Sequence, residues 1–123
     1  MSQSSDMFEF RFREKEKILI GKIILGSMEK DQAAQIYDYV AAEQKNQPAY
    51  DHFILDALNV TRVTNPAIGF LMKSLGLVKK TKGYMILVIS EALLQGIMLS
   101  HPQMFDFYAV FHSIEDAVAY TKK

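Results

Sequence analysis

The stretch from Asp51 to Gly69, DHFILDALNVTRVTNPAIG, most constrains how this chain can fold. Phe53–Leu55 is a continuous apolar run, which is typical of a strand covered on both faces. A polar bend follows, and Asn65 then stands directly before Pro66. Asparagine is a good N-cap, and proline suits the first helical position, where its missing N–H costs little. The stretch therefore predicts a buried strand and then a helix that starts at a sheet edge, where α/β proteins usually keep their functional sites.

The rest of the chain alternates between strand and helix patterns. Phe8–Phe12 alternates strictly between apolar and polar residues, and Ile18–Leu25 is mostly apolar, so the two predict a hairpin. Ser27, Ser90 and Ser113 are predicted to cap helices. The predicted strands cover 8–12, 18–25, 53–55, 84–89 and 107–111, and the predicted helices run from 28 to about 45, from 66 to about 82, from Ser90 to about 99, and from Ser113 onward.

This order, β-β-α-β-α-β-α-β-α, predicts an α/β fold with a mostly parallel mixed sheet of about five strands and about four helices. We expect one domain over residues 1–123, with residues 1–6 flexible.

The amino-acid composition argues against several classes of function. The chain has 123 residues, 50% of them hydrophobic, and its 14 basic residues balance its 14 acidic ones. A zero net charge gives no support for broad nucleic-acid or membrane binding. The most apolar segments are too short to span a bilayer, so we expect no membrane insertion. Cysteine is absent, which removes disulfides, thiol nucleophiles and thiolate metal sites. No signal peptide is visible, so we expect a cytoplasmic protein that needs no metal and no cofactor.

Taken in this order, the sequence segments resemble the STAS domain, the SpoIIAA-like fold of bacterial anti-sigma factor antagonists. The resemblance rests on a strand ending in Ile-Leu-Asp at residue 56, on Asn59-Val60-Thr61, and on Ile68-Gly69-Phe70-Leu71. The closing segment Phe111–Ala117 is also similar to the family's last strand and helix start. The resemblance covers nearly the whole chain and implies the STAS fold and a regulator of transcription.

The resemblance also identifies a signature loop. In family members that act as phospho-switches this loop reads Asp-Ser-Ser-Gly, and its first serine accepts a phosphate. Here the four positions are Thr64, Asn65, Pro66 and Ala67, and Gly69 keeps the next glycine. Asn65 has no hydroxyl and no charge, so it neither accepts a phosphate as serine does nor imitates phosphoserine. Thr61 or Thr64 is a possible substitute acceptor, although both residue types also suit plain turn hydrogen bonds.

The helix after the loop offers a partner-binding surface. Phe70 and Leu77 are predicted to lie away from the stripe that packs on the sheet, with Lys73 beside them. One interpretation is that these residues bind a partner protein or a second copy of the chain. The other is that Phe70 and Leu77 contact a neighbouring helix of the same domain and that the lysine is solvated.

The leading hypothesis is a non-enzymatic regulatory module that binds a protein partner. The resemblance implies that this partner is an anti-sigma factor, a serine kinase or another STAS protein. Asn65 predicts binding that is not gated by phosphorylation at that position. The alternative is a small-ligand binder that holds a nucleotide, an anion or a lipid head group at the loop. An enzyme is not favoured, because the three histidines share no ligand spacing and Asp56 is better suited to bonding the backbone of its turn.

Overall fold

A mixed sheet of six strands forms the centre of the molecule. The computed structural model describes residues 3–4, 6–74, 85–106 and 108–122. Within this part of the chain the strands are β1 (Gln3–Ser4), β2 (Phe8–Arg13), β3 (Ile18–Ile23), β4 (Ser27–Met28), β5 (His52–Asp56), β6 (Arg62–Val63), β7 (Met85–Val88) and β8 (Tyr108–Phe111). The helices are α1 (Lys30–Glu43), α2 (Asn65–Ser74), α3 (Glu91–Ser100) and α4 (Ile114–Thr121), and short 3-10 helices cover Gln44–Asn46 and Pro102–Asp106.

The sheet has the strand order β1-β2-β3-β5-β7-β8. Strands β1, β2 and β3 pair antiparallel, whereas β3, β5, β7 and β8 are parallel. β5 lies inside the sheet, with Ile54 opposite Ile20 on one side and Ile86 on the other. The carboxyl ends of β3, β5 and β7 therefore meet at one edge, and α2 and α3 start there.

Helices cover both faces of this sheet. On one face, α1, α2 and α3 pack on side chains such as Phe8, Phe53 and Leu55. On the other face, α4 packs on Ile54 and its neighbours. Alternate residues of β5 thus enter two different clusters, and all three of Phe53–Leu55 are buried. The sequence-based prediction of a strand covered on both faces is confirmed, as is the mixed sheet with four flanking helices.

One glycine lets the strands pack closely. A Cβ atom on Gly21 would lie 2.6 Å from Cζ of Phe8 and 3.0 Å from Cζ of Phe53. Carbon atoms pack at about 3.5–4.0 Å, so no larger residue fits here without displacing a ring. Gly21 thus allows two phenylalanines to lie over the centre of the sheet.

The structure confirms some local predictions and corrects others. The β2–β3 hairpin forms, and the side chains of Ser90 and Ser113 cap α3 and α4. Ser27 is not a cap, since it lies in β4, and α1 begins only at Lys30. The Glu29 carbonyl accepts the first helical bond of α1, and the Glu29 N–H donates to Gln32 Oε1 at 2.8 Å.

The short strands β1, β4 and β6 are further differences. β1 lies within residues 1–6, where flexibility stays a prediction, and pairs with β2. The second half of the predicted helix over 66–82, including Leu77, lies outside the described residues.

Candidate functional site

A two-stranded parallel sheet fastens the signature loop to the rest of the domain. β4 pairs with β6, with Ser27 opposite Arg62. The Thr61 N–H and the Thr61 hydroxyl both donate to the Gly26 carbonyl, at 2.8 and 3.0 Å. On the other side of β6, the Thr64 N–H donates to the Met28 carbonyl at 3.1 Å. The backbone that leads into α2 is therefore held at both ends of β6.

The cap of α2 is Thr64, not Asn65 as the sequence predicts. The Thr64 carbonyl accepts the Ile68 N–H at 3.0 Å, which is the first helical hydrogen bond. Thr64 Oγ1 accepts the Ala67 N–H at 3.4 Å, as an N-cap oxygen does. Asn65 is the first helical residue and Pro66 the second. The prediction was displaced by one residue, because Thr64 is still bonded to the Met28 carbonyl beside β6 and the helix begins directly after it.

The first turn of α2 offers few donors to an anion. Pro66 has no N–H, the Ala67 N–H is bonded to the Thr64 hydroxyl, and the Ile68 N–H is bonded to the Thr64 carbonyl. Within the described residues this leaves only the Asn65 N–H unbonded in this turn. Phosphate-binding helix starts direct several N–H groups at one anion. This helix start lacks that arrangement.

Asp56 ends β5 below the loop and is the one buried charged residue in the described part of the chain. Its Oδ1 accepts the Leu58 N–H at 3.1 Å. This is the local side-chain to backbone bond of an Asx turn, which satisfies a donor as the chain leaves the sheet. The structure therefore places Asp56 in the turn and agrees with the structural interpretation made from the sequence.

An open cleft lies between the start of α2 and the length of α3. Its volume is about 390 Å³, and its lining residues are Thr61, Arg62, Val63, Asn65, Ile68, Ala92, Leu93, Gly96, Ile97 and Ser100. Buried apolar side chains of the two helices form its floor, whereas its rim is exposed. Among the described residues, Arg62 is the only charged one in the lining, and it forms no ion pair with any of the others.

Comparison with known proteins identifies the fold. No family model matches the sequence, and no curated protein matches it. Among solved structures, an anti-sigma factor antagonist from Mycobacterium paratuberculosis is 13% identical, with a TM-score of 0.71 over 98% of both chains. An anti-sigma-factor antagonist (STAS) domain protein from Planctomyces limnophilus is 14% identical, with a TM-score of 0.70 over 91% of this chain and 96% of its own. This chain has the STAS fold.

The likeness extends to a third STAS-fold protein, the anti-sigma factor antagonist SpoIIAA in its unphosphorylated form. It is 11% identical, with a TM-score of 0.59 over 94% of this chain and 97% of its own. At such identities the likeness concerns the fold, and the loop residues must be judged by their own geometry. Thr61, Thr64, Asn65, Pro66 and Gly69 are all exposed at one end of this STAS fold.

The predicted partner-binding residues Phe70 and Lys73 lie against α1 instead of standing free. The Phe70 ring is partly buried on the core and meets the Tyr37 ring edge to face, with 6.3 Å between ring centroids. Lys73 Nζ lies 4.9 Å from the centroid of the Tyr37 ring, within the range of a cation–π contact. For Phe70 this is the second interpretation made from the sequence, a contact with a neighbouring helix. Leu77 lies outside the described residues.

Among the remaining polar groups, His112 is bonded to the backbone, whereas Nδ1 of His52 is buried and has no hydrogen-bond partner within the described residues. His112 Nδ1 lies 2.6 Å from the Ile89 carbonyl oxygen and therefore donates to it, which links the ends of β7 and β8. Burial raises the pKa of the Tyr108 phenol, so this ring stays neutral. In the part of the chain that the structure covers, no three acidic or histidine side chains are grouped as metal ligands. Nor is any described helix long and apolar enough to span a membrane.

Proposed function

We propose that this chain is a non-enzymatic regulatory module of the STAS type, which binds a protein partner through the loop Thr61–Gly69 without a phosphorylation switch at residue 65. The fold it shares with anti-sigma factor antagonists supports the class of function. The first turn of α2 is the observation that carries the absence of a switch. We place its action in the bacterial cytoplasm, with an anti-sigma factor, a serine kinase or another STAS protein as partner.

The helix start is unsuited to a phosphate for two independent reasons. Asn65 has no hydroxyl to accept one, and Pro66 removes a backbone donor that would hold one. SpoIIAA, by contrast, has been solved in unphosphorylated and phosphorylated forms. A phosphate carries nearly two negative charges and is stabilised at a helix start by several N–H groups. In the described first turn of α2 only the Asn65 N–H is left unbonded. The chain therefore lacks both a hydroxyl at residue 65 to accept a phosphate and the N–H groups to bind it.

The two threonine hydroxyls of the loop have structural roles. Thr61 donates its hydroxyl proton to the Gly26 carbonyl, and a phosphate ester at this oxygen would lose that bond and put negative charge beside the carbonyl. Thr64 uses its hydroxyl oxygen to cap α2. Phosphorylation of either residue would therefore disturb the loop, and we propose that the partner binds it unmodified.

The buried carboxylate also supports a non-enzymatic role. A general base must come within hydrogen-bond distance of its substrate. Asp56 is buried below the loop, which leaves it little access to a substrate, and its Oδ1 accepts the Leu58 N–H of the turn. We therefore assign Asp56 to the support of the loop.

The test is a reconstitution with the natural partner. Protein captured from lysate of the native cell is identified, purified and titrated against the chain by calorimetry, before and after phosphatase treatment of the chain. We expect the same affinity in both titrations. If the partner is a kinase, intact mass after incubation with Mg-ATP should show no added phosphate on the wild type.

A restored loop provides the matched control. The triple variant Asn65→Ser, Pro66→Ser, Ala67→Gly has the serines and the glycine of the family loop, and it should accept phosphate from the same kinase. Phosphate on Thr61 or Thr64 of the wild type, together with a change in affinity, would refute the unswitched mode of binding. Failure to find any protein that binds the purified chain would refute the regulatory module itself.

A further inference from the structure

The cleft between the start of α2 and α3 is a different surface from the one where Phe70 contacts α1. Its α3 side is lined at the rim by small residues. Ala92, Gly96 and Ser100 follow one another at a spacing of four, so they lie on one side of the helix. All three are exposed, and a Cβ atom on Gly96 would meet nothing within 4 Å. At 1.5 Å per residue the three positions span about 12 Å, which is more than two helical turns.

An exposed leucine continues this surface. Leu99 is 89% exposed, and it is the most exposed large apolar side chain among the described residues. It lies three residues after Gly96 and seven after Ala92, so helical periodicity puts it at the edge of the same face. Small residues let a second helix approach closely, and a large exposed leucine beside them is typical of a contact surface.

The rim of the cleft carries a positive charge, that of Arg62. Arg62 is exposed and has no carboxylate partner within the described residues. Asn65 lies beside it in the lining, whereas the Thr61 and Ser100 hydroxyls already donate to the Gly26 and Gly96 carbonyls. Arg62, unpaired among the described residues, therefore puts a positive charge at the end of an apolar surface, which fits an acidic group on an otherwise apolar partner.

We propose that this cleft holds an amphipathic helix of the partner protein, which packs small and apolar side chains on Gly96 and Leu99 and directs an acidic side chain to Arg62. The inference rests on the proposed function, since it names the partner surface of that same module. A long open cleft suits a helix laid into a groove. The cleft suits a small anion less well, because an anion site needs several converging donors and the described first turn of α2 offers one free N–H.

The probe is a displayed library of helical peptides with one randomised face, selected for binding to the full chain. Selected peptides should be enriched in Asp or Glu next to small and apolar residues. Nuclear magnetic resonance shifts on adding them should map to residues 92–100 and to Arg62. We expect Gly96→Leu to weaken their binding about tenfold or more, as filling the centre of an interface does. When the library is selected for binding to the Arg62→Glu variant, the peptides should be enriched in Lys or Arg instead of Asp or Glu.

Matched controls separate the cleft from the helix that forms it. Met98→Leu creates the same residue two positions later, about 200° round the helix from Gly96, and should keep wild-type affinity. Leu99→Gln should weaken binding, whereas Met98→Gln, on the opposite side of α3, should not. Gly96→Leu should fold at least as stably as the wild type, because the site is open and leucine is the better helix former.

The outcomes distinguish this inference from the function on which it rests. If the library yields no binder, or if its binders bind Gly96→Leu as well as the wild type, the cleft is not the site. The inference would also be overturned if ATP or inorganic phosphate shifted the nuclear magnetic resonance signals of the cleft and the library yielded no peptide that binds there. If the natural partner binds Gly96→Leu and Arg62→Glu unchanged, the proposed function stands and this inference fails. If peptides select the cleft but no natural protein binds, the proposed function fails instead.

Discussion

Replacing Gly21 with alanine should destabilise the fold, although alanine usually improves a glycine position in a strand. The new Cβ would lie 2.6 Å from Cζ of Phe8, so the ring must move by about 1 Å to reach ordinary contact. Phe8 is only 1% exposed, and its ring centroid is 5.1 Å from that of Phe10 and 6.1 Å from that of Tyr39. The ring therefore has no open space into which it can move.

The magnitude follows from two opposing effects. Overpacking a core costs about 1–3 kcal/mol, whereas removing the backbone freedom of glycine gains about 0.5–1 kcal/mol. A separation of 2.6 Å is a severe overlap, so the cost of overpacking should be in the upper half of its range, about 2–3 kcal/mol. We therefore expect Gly21→Ala to lower the free energy of unfolding by about 1–2.5 kcal/mol, measured by urea denaturation with an unchanged m-value. In a thermal scan this corresponds to a fall in Tm of roughly 4–10 °C.

Two further variants decide whether the reasoning is right. Gly69→Ala adds the same methyl group in open space on α2, and it should raise the free energy of unfolding by about 0.5–1 kcal/mol. In a Phe8→Leu background, which removes the Cζ atom, Gly21→Ala should cost less. A Gly21→Ala protein that is as stable as the wild type, or a cost that Phe8→Leu leaves unchanged, would refute the overlap with the ring.

Three other predictions concern polar groups. Asp56→Ala should lower the free energy of unfolding by about 1–3 kcal/mol, because the Leu58 N–H loses its acceptor, whereas Asp56→Asn should cost less; equal costs would contradict the turn bond. Ser113→Ala should lower it by about 1 kcal/mol through loss of the α4 cap, with Ser113→Thr close to wild type; no change in urea denaturation would show that the cap is not used. The hydrogen bond from Arg13 lowers the pKa of Glu16 in the folded chain, so its stabilising effect is present above the unfolded-state pKa and is lost as pH falls through the folded-state pKa. Glu16→Gln should therefore be the less stable protein at neutral pH, with the difference closing in acid; a difference that persists at low pH would argue against this origin.

Much of the local structure could be predicted from the chain alone, where neighbouring residues decide it. The apolar run of β5 is long enough to need burial on both faces, and the structure gives it that burial. Ser90 and Ser113 cap the helices that follow them, because a cap needs only its own side chain and the next turn. The alternation of strand and helix patterns likewise led to the mixed, helix-covered sheet.

The tertiary structure decided the features that depend on residues far apart in the chain. β4 and β6 have two residues each and no periodicity to detect. They form only because the fold brings Gly26 and Thr61 together, although these residues are 35 positions apart in the sequence. That pairing takes Ser27 from its predicted role as a helix cap and fixes Thr64 as the cap of α2 in place of Asn65.

The same holds for the outer surfaces. Periodicity placed Phe70 away from the stripe that packs on the sheet, but only the packing of α1 against α2 supplies the Tyr37 ring that covers it. The cleft beside Arg62 is formed by α2 and α3, two helices that are separate in sequence, so no local pattern could show it. Short-range chemistry thus determined most of the elements and the caps of α3 and α4. Packing between elements determined β4, β6, the start of α2 and which surfaces are left for a partner.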